Sequence, residues 1–182
     1  MRLSYCRGRS DAERVVREIV SHAGTASYFA CDVQSDGDEG LADLADGWRP
    51  THLYYFATPH ITAGSSGALS TSRFRTFCDF YVTGFFRMVT QLRALSSPVK
   101  HIFYPSTVYL DDMPDTLVEY VLAKAAGEAT CDFLRKHQAG LVVYRPRLPR
   151  LATDQTASLL PQDLRDGVST ILEHLRRFCE AS

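Results

Sequence analysis

The chain has 182 residues, 45% of them hydrophobic and 23% charged, with a formal net charge of −1. That balance suits a globular domain with a sizeable core and gives no electrostatic reason to expect nucleic acid or an anionic membrane as partner. No apolar stretch approaches the length of a membrane span, the N-terminus does not read as a signal peptide, and the five cysteines (Cys6, Cys31, Cys78, Cys131 and Cys179) show neither metal-ligand nor disulfide spacing. The expectation is a cytoplasmic protein with reduced thiols and no metal.

Residues 1–6 are a short strand candidate, followed by the basic turn Arg7-Gly8-Arg9-Ser10. Residues 11–22 have helical periodicity, with Val15, Val16, Ile19 and Val20 on one side, Ser10 or Asp11 as N-cap and Gly24 as the stop. A second strand over 27–31 ends at Asp32-Val33, an acidic and weakly helical stretch covers 35–47, and Trp48-Arg49-Pro50 reads as a turn. Residues 51–57 (THLYYFA) form a continuous apolar run of the kind a fully buried strand shows. A Gly/Ser/Thr-rich loop over 62–72 leads into a long helix over 73–95, and 99–104 is the next strand. Pro114 starts a helix to about 138, with Gly127 tolerated inside it; 140–144 is the last strand, and 162–179 closes the chain as an amphipathic helix. Strands alternating with helices at these lengths predict one α/β domain over 1–182, a doubly wound parallel sheet with helices on both faces.

The chemistry concentrates in 101–124, HIFYPSTVYLDDMPDTLVEYVLAK. Tyr120 and Lys124 are four apart on the predicted helix and so share one face. An ammonium there favours the tyrosinate and lowers the phenol pKa, and a hydroxyl from Ser106 or Thr107 at the preceding strand end can reach the same point. Such a set can move a proton on a carbonyl or alcohol oxygen while a hydride moves at carbon. Other candidates are weaker. His101 begins a strand and His52 sits one residue inside another, and both read as structural; His60, following Thr58-Pro59, is a weak candidate for a substrate contact. Asp111-Asp112 reads as a turn or helix cap, and Tyr54-Tyr55-Phe56 as core.

These pieces resemble the short-chain dehydrogenase/reductase (SDR) family over nearly the whole chain. Tyr120-Val121-Leu122-Ala123-Lys124-Ala125-Ala126-Gly127-Glu128 is similar to its active-site helix, and Ala30-Cys31-Asp32-Val33 to its strand-end Asp-Val beside the adenine. Phe56-Ala57-Thr58-Pro59 is similar to the turn beside the cofactor ribose, Arg145-Pro146 to the segment after the sixth strand, and Ala152-Thr153-Asp154 to residues near the nicotinamide. The resemblance implies Tyr120 as general acid, Lys124 holding the nicotinamide ribose and tuning Tyr120, and Ser106 or Thr107 polarising the carbonyl. Spacing favours Thr107 and residue type favours Ser106. It further implies cofactor contacts from Asp32, Val33, Ala57, Thr58, Lys124, Pro146 and Thr153. Arginine in place of an acidic residue after the first strand accommodates a 2′-phosphate, so Arg7, Arg9 and Ser10 point to NADP(H) over NAD(H).

The chain also departs from that family. Residues 1–6 read as its second strand, so the first strand and the glycine-rich turn that binds pyrophosphate have no counterpart; nor does the final strand. The resemblance therefore implies an N-terminally truncated Rossmann-like core. Either the chain is a piece of a longer polypeptide, or the neighbouring strands close the gap, or a partner region supplies the missing strand. Tyr81 stands where the family has an asparagine of the proton relay, and it reads as a core aromatic. The expected function is an NADPH-dependent ketoreductase acting on a small-molecule carbonyl or alcohol, inside a larger biosynthetic multienzyme. The alternatives are a non-catalytic scaffold domain and a nucleotide-sugar epimerase or dehydratase with tightly held NAD. No nucleic-acid or membrane partner is expected, and the long helices over 73–95 and 114–138 are the expected contacts of a homo-oligomer.

Overall fold

Parallel strand pairs carry the fold throughout the computed structural model, which describes residues 1–35, 47–94, 99–151 and 167–180. The chain groups into two units, Met1–Trp48 and Arg49–Ser182. In the first, β1 (Arg2–Tyr5), α1 (Arg9–Ser21) and β2 (Ser27–Ala30) make one βαβ crossover, with β1 and β2 parallel and Tyr5 opposite Ala30. The helix starts at Arg9 with Gly8 as its N-cap, ahead of the expected Ser10 or Asp11, and no side chain caps it. Tyr5 and Tyr28 pack ring to ring at 5.9 Å, and the Arg2 guanidinium lies 5.0 Å over Trp48. Among the described residues β1 pairs with β2 alone.

In the second unit β3 (His52–Tyr54), β4 (His101–Phe103) and β6 (Val142–Tyr144) form a parallel sheet with β4 in the middle. Central placement explains the composition of β4: Ile102 and Phe103 are fully buried, as a strand covered on both faces requires. The ladder does not stop where the sequence suggests. β5 (Ser106–Thr107) pairs with β7 (Arg147–Leu148) in the same register as β4 with β6, so Pro105 faces Pro146 between the two ladders. Proline lacks the N–H that a ladder needs, which is why the strand breaks there and resumes. Tyr104 N–H to Tyr144 O (2.9 Å) and Ser106 N–H to Pro146 O (2.8 Å) keep the two chains together across the break.

The expected long helix is three-part: α2 (Thr71–Cys78), a π-helical stretch (Asp79–Gly84) and α3 (Phe85–Arg93). Ser70 is the N-cap, its hydroxyl accepting the Arg73 N–H. α4 (Tyr109–Asp112), which the sequence pattern does not announce, precedes α5 (Val118–His137). The described part of the last helix is α6 (Gly167–Glu180). In α5 the buried positions Tyr120, Val121, Lys124, Gly127, Cys131 and Leu134 recur at three- and four-residue spacing, so one face of the helix meets the core.

Aromatic side chains join α6 to the sheet. Phe178, 1% exposed, stands edge-on to Tyr54, His52 and Phe103. His52 and His101, partners on β3 and β4, stack at 4.8 Å. Burial first, and then the neighbouring His101, hold the His52 imidazole below its ordinary pKa. The unfolded chain therefore binds a proton more readily than the folded one, and stability is lost as pH falls through 6.5 and below. A His52→Phe variant keeps the stack without the titration. Its unfolding midpoint is expected to decline less steeply than the wild type's between pH 7.5 and about 5 in urea melts. Equal slopes would exclude His52 as a source of acid sensitivity.

No helix among the described residues is long and apolar enough to cross a membrane, and none of the five cysteines is joined in a disulfide.

Candidate active site at the strand ends

At the carboxyl ends of β4 and β6 the resumed ladder holds Ser106 and Thr107 in extended conformation, both 4% exposed. Successive residues of a strand point to opposite sides, so the two hydroxyls cannot serve one group. Thr107 hydrogen-bonds the Tyr120 hydroxyl. Ser106 donates to Glu128 Oε1 at 2.6 Å, on the same face of α5 but two turns further on. The alternatives left by spacing and residue type thus separate geometrically: Thr107 meets Tyr120, and Ser106 belongs to an ionic knot.

That knot is not evident from the motifs. Arg147 grips Glu128 with Nε to Oε1 at 3.0 Å and Nη2 to Oε2 at 2.9 Å, and reaches Asp111 with Nη1. Arg145 donates to the Glu128 carbonyl at 2.7 Å and pairs with Asp132 at 3.1 Å. The Arg147 hydrogen bonds hold the Glu128 carboxyl below its ordinary pKa despite partial burial. β7, α4 and α5 are tied together at the residue where β5 begins. Asp111, expected as a turn or cap, is one of the ties. A signal does exist in the sequence: Glu128 lies four residues after Lys124, and Arg145 and Arg147 alternate along one extended segment.

A second anchor fixes the start of α5. Glu119, 2% exposed, accepts the Ser70 N–H at 2.7 Å and lies 4.0 Å from Arg73. Burial pushes its carboxyl up, but the Ser70 and Glu119 N–H groups and Arg73 outweigh that and bring it below its usual value. Arg73 also donates to the Thr62 and Ala63 carbonyls, while Gly64 and Gly67 N–H bond to Thr116 and Asp115. The glycine-rich loop is thereby folded onto the segment just before Tyr120.

Tyr120 itself is boxed by Phe77 at 5.7 Å and Tyr81 at 5.9 Å, both edge to face, within an apolar cluster that includes Leu110, Leu117 and Val121. Burial pushes its phenol up to about 12, against a smaller lowering by the Thr107 hydrogen bond. The expectation that Lys124 lowers that pKa does not hold in this structure, because the lysine points elsewhere. Its Nζ donates to Pro105 O at 2.7 Å, lies 3.9 Å over the Tyr81 ring and 6.0 Å from the Tyr120 ring centroid. Burial brings Lys124 down to about 7, with Cys131 and Glu128 opposing.

The π-helical stretch shapes this box. Its wider turn leaves the carbonyls of Phe80 and Tyr81 open to outside donors, and the Tyr55 hydroxyl (2.6 Å) and Tyr104 hydroxyl (3.1 Å) fill those places. Tyr104 reaches Tyr81 by passing over Gly127, where an added Cβ would sit 1.9 Å from the Tyr104 oxygen. Gly127, expected to be merely tolerated in the helix, is required by this close approach.

The other expected site residues lie in both units. In Met1–Trp48, Arg7, Arg9 and Ser10 are exposed at the turn after β1, and Arg9 hydrogen-bonds the Tyr28 hydroxyl. Asp32 accepts the Gln34 N–H at 2.9 Å in a local turn after β2, with Val33 half-buried beside it. In Arg49–Ser182, Ala57 and Thr58 follow β3, the Thr58 hydroxyl meeting the Tyr81 hydroxyl at 2.5 Å; His60 is exposed; and Pro146 is buried beside Ser106. Thr153, with Ala152 and Asp154, lies outside the described residues. Within each unit the described positions of this set follow the carboxyl end of a parallel strand or begin the helix after it, the end of a strand at which open α/β sheets bind ligands.

No family model matches the sequence and no curated protein sequence resembles it. Solved structures do resemble it in shape. An alcohol dehydrogenase from the archaeon Thermococcus sibiricus, complexed with 5-hydroxy-NADP, superposes with a TM-score of 0.81 at 15% identity, over 98% of this chain and 79% of that one. The promiscuous reductase LugOII, which catalyses keto-reduction at C1 in lugdunomycin biosynthesis, gives 0.73 at 17%, over 100% of this chain and 72% of that one. The angucycline C-6 ketoreductase LanV with bound NADP gives 0.66 at 21%, over 78% and 59%. The chain has the Rossmann-type fold of the short-chain dehydrogenases and reductases.

Proposed function

We propose that this chain is an NADPH-dependent reductase of small-molecule ketones, with Tyr120, Thr107 and Lys124 as its chemical centre. The observation that carries this reading is the Tyr120–Thr107 hydroxyl pair at the end of β5, with Lys124 buried one turn along the same helix. Tyr120 donates its proton to the substrate oxygen; Thr107, whose hydroxyl donates to the Tyr120 oxygen in the absence of substrate, turns that donation to the substrate oxygen and holds it. Burial keeps the phenol protonated near neutral pH, the state reduction needs. The apolar box of Phe77, Tyr81 and Leu110 excludes water from the transfer. Ser106 acts through Glu128 on the strand end and touches no reacting atom.

The residues present fit an NADP cofactor at two places. Arg7, Arg9 and Ser10, exposed at the turn into α1, fit the 2′-phosphate, and Asp32 and Val33 the adenine. In the other unit Ala57, Thr58, Lys124 and Pro146 would hold the nicotinamide ribose end. When bound, the cofactor supplies the hydride. The fold neighbours described as NADP-bound support this choice. A role inside a larger biosynthetic multienzyme in the cytoplasm, and pairing of subunits through α2–α3 and α5, belong to the same proposal.

Titration of the 182-residue chain with NADPH and NADH, followed by nucleotide fluorescence, tests the reading. Saturation in the micromolar range, at least tenfold tighter for NADPH and weakened by Arg9→Glu, is expected. Absence of binding at millimolar nucleotide would favour the scaffold reading. NAD retained through purification would favour epimerase or dehydratase chemistry.

A further inference from the structure

We propose that Tyr81 is the positioning residue of Lys124: its ring face holds the ammonium in place and in its charged form, and its hydroxyl ties that placement to Thr58 at the end of β3. The activity consequence rests on the reading of Lys124 as part of the reaction centre; the placement does not.

A buried ammonium needs compensation, and none of the described carboxylates gives Lys124 a salt bridge. Its single described hydrogen bond goes to the Pro105 carbonyl. Of the groups facing it, Glu128 and Cys131 lie on its own helix. Glu128 is already engaged by Arg145, Arg147 and Ser106, and burial pushes the Cys131 thiol up to about 12, so it is neutral. Tyr104 and Tyr120 present their rings at 5.1 and 6.0 Å. Tyr81 is the nearest at 3.9 Å, inside the range where the negative face of an aromatic ring attracts a cation, and the attraction is strongest where water is absent.

The hydroxyl sets the ring. Thr58 Oγ1 donates to the Pro59 carbonyl at 3.1 Å, which leaves its lone pairs to accept the Tyr81 O–H at 2.5 Å. A phenol that donates its proton enriches its ring in electrons, so the Thr58 bond strengthens the hold on Lys124. The backbone contributes as well: the π-helical stretch delivers Tyr81 to this point, and Tyr104 pins its carbonyl. The same tyrosine therefore touches the strand end after β3, the stretch between α2 and α3, and the reactive face of α5.

The test replaces Tyr81 by phenylalanine and by its mono-, di- and trifluoro derivatives, which keep the ring's shape and progressively remove the negative charge on its face. The readout is the titration of Lys124, followed by the side-chain nitrogen resonance in lysine-labelled protein. With three lysines in the chain, assignment by Lys100→Arg and Lys136→Arg is direct. The Lys124 midpoint is expected to move to lower pH with each fluorine, by about one pH unit at the trifluoro ring. With NADPH and a ketone, the pH dependence of kcat is expected to move with it. A midpoint that stays constant across the series, in variants with unchanged unfolding midpoints, would overturn the proposal even if the enzyme is active. A shifted midpoint in a protein without reductase activity would uphold it and remove the proposed function instead. Should the trifluoro variant fail to fold, the mono- and difluoro variants still give the slope.

Discussion

Tyr120→Phe is expected to lower kcat for NADPH-dependent ketone reduction by a factor of about 10² to 10⁴, the range lost with a positioned general acid. The variant should fold, because the hydroxyl makes one described contact, to Thr107, while the ring makes the packing with Phe77 and Tyr81. Thr107→Val should lose activity by a similar route, since it removes the hydroxyl that meets Tyr120. Ser106→Ala distinguishes the two neighbours. It deletes the bond to Glu128, so its effect should fall on the unfolding midpoint, about 1 kcal/mol, with kcat changed several-fold at most. Initial rates with saturating NADPH, alongside thermal melts, separate these outcomes. Turnover retained in Tyr120→Phe would remove the acid role. A loss in Ser106→Ala matching that of Thr107→Val would reverse the assignment of the hydroxyls.

Gly127→Ala should cost the most stability of any single methyl added to the described part of this fold. The new Cβ would lie 1.9 Å from the Tyr104 oxygen, far inside contact distance, and 3.1 Å from the Tyr81 carbonyl. Tyr104 is buried between Tyr55 and Phe85 and has nowhere to swing. Overpacking costs about 1–3 kcal/mol, and the Tyr81 carbonyl left without its donor about 1–3 more. The better helix propensity of alanine returns about 1 kcal/mol. A net loss of about 3 kcal/mol is expected, a fall of roughly ten degrees in Tm for a chain of this size. Tyr104→Phe removes the oxygen, so the double variant should lose less than the sum of the two single ones. Additive losses would show that the two residues do not meet.

Tyr120 and Lys124 are legible in the sequence because both demands on them are local: helical spacing alone decides that residues four apart share a face. Their opposition to a strand-end hydroxyl is legible too, since an apolar run ending in Ser106-Thr107 leaves few other places for it. The glycine-rich loop at 62–72 is visible as a loop but not as a latch. Its partners Glu119 and Arg73 are far apart in the chain, and nothing in either neighbourhood marks a buried carboxylate. The glycine inside α5 looks like a tolerated weakness, because its reason, a tyrosine crossing from the end of β4, lies in another element.

The pattern of this chain by itself therefore determined the α/β class, the alternation of the main strands and helices, and the placing of Tyr120 and Lys124 on one helix four residues apart, all of which follow from periodicity along one backbone. Only the tertiary structure decided that Thr107 rather than Ser106 meets Tyr120, because the β5–β7 ladder past Pro105 and Pro146 sets which way each side chain points. It likewise decided that Lys124 turns from Tyr120 to the ring of Tyr81. Where an ammonium rests in a dry interior depends on the few carbonyls and ring faces packed around it, and these come from segments far apart in the chain.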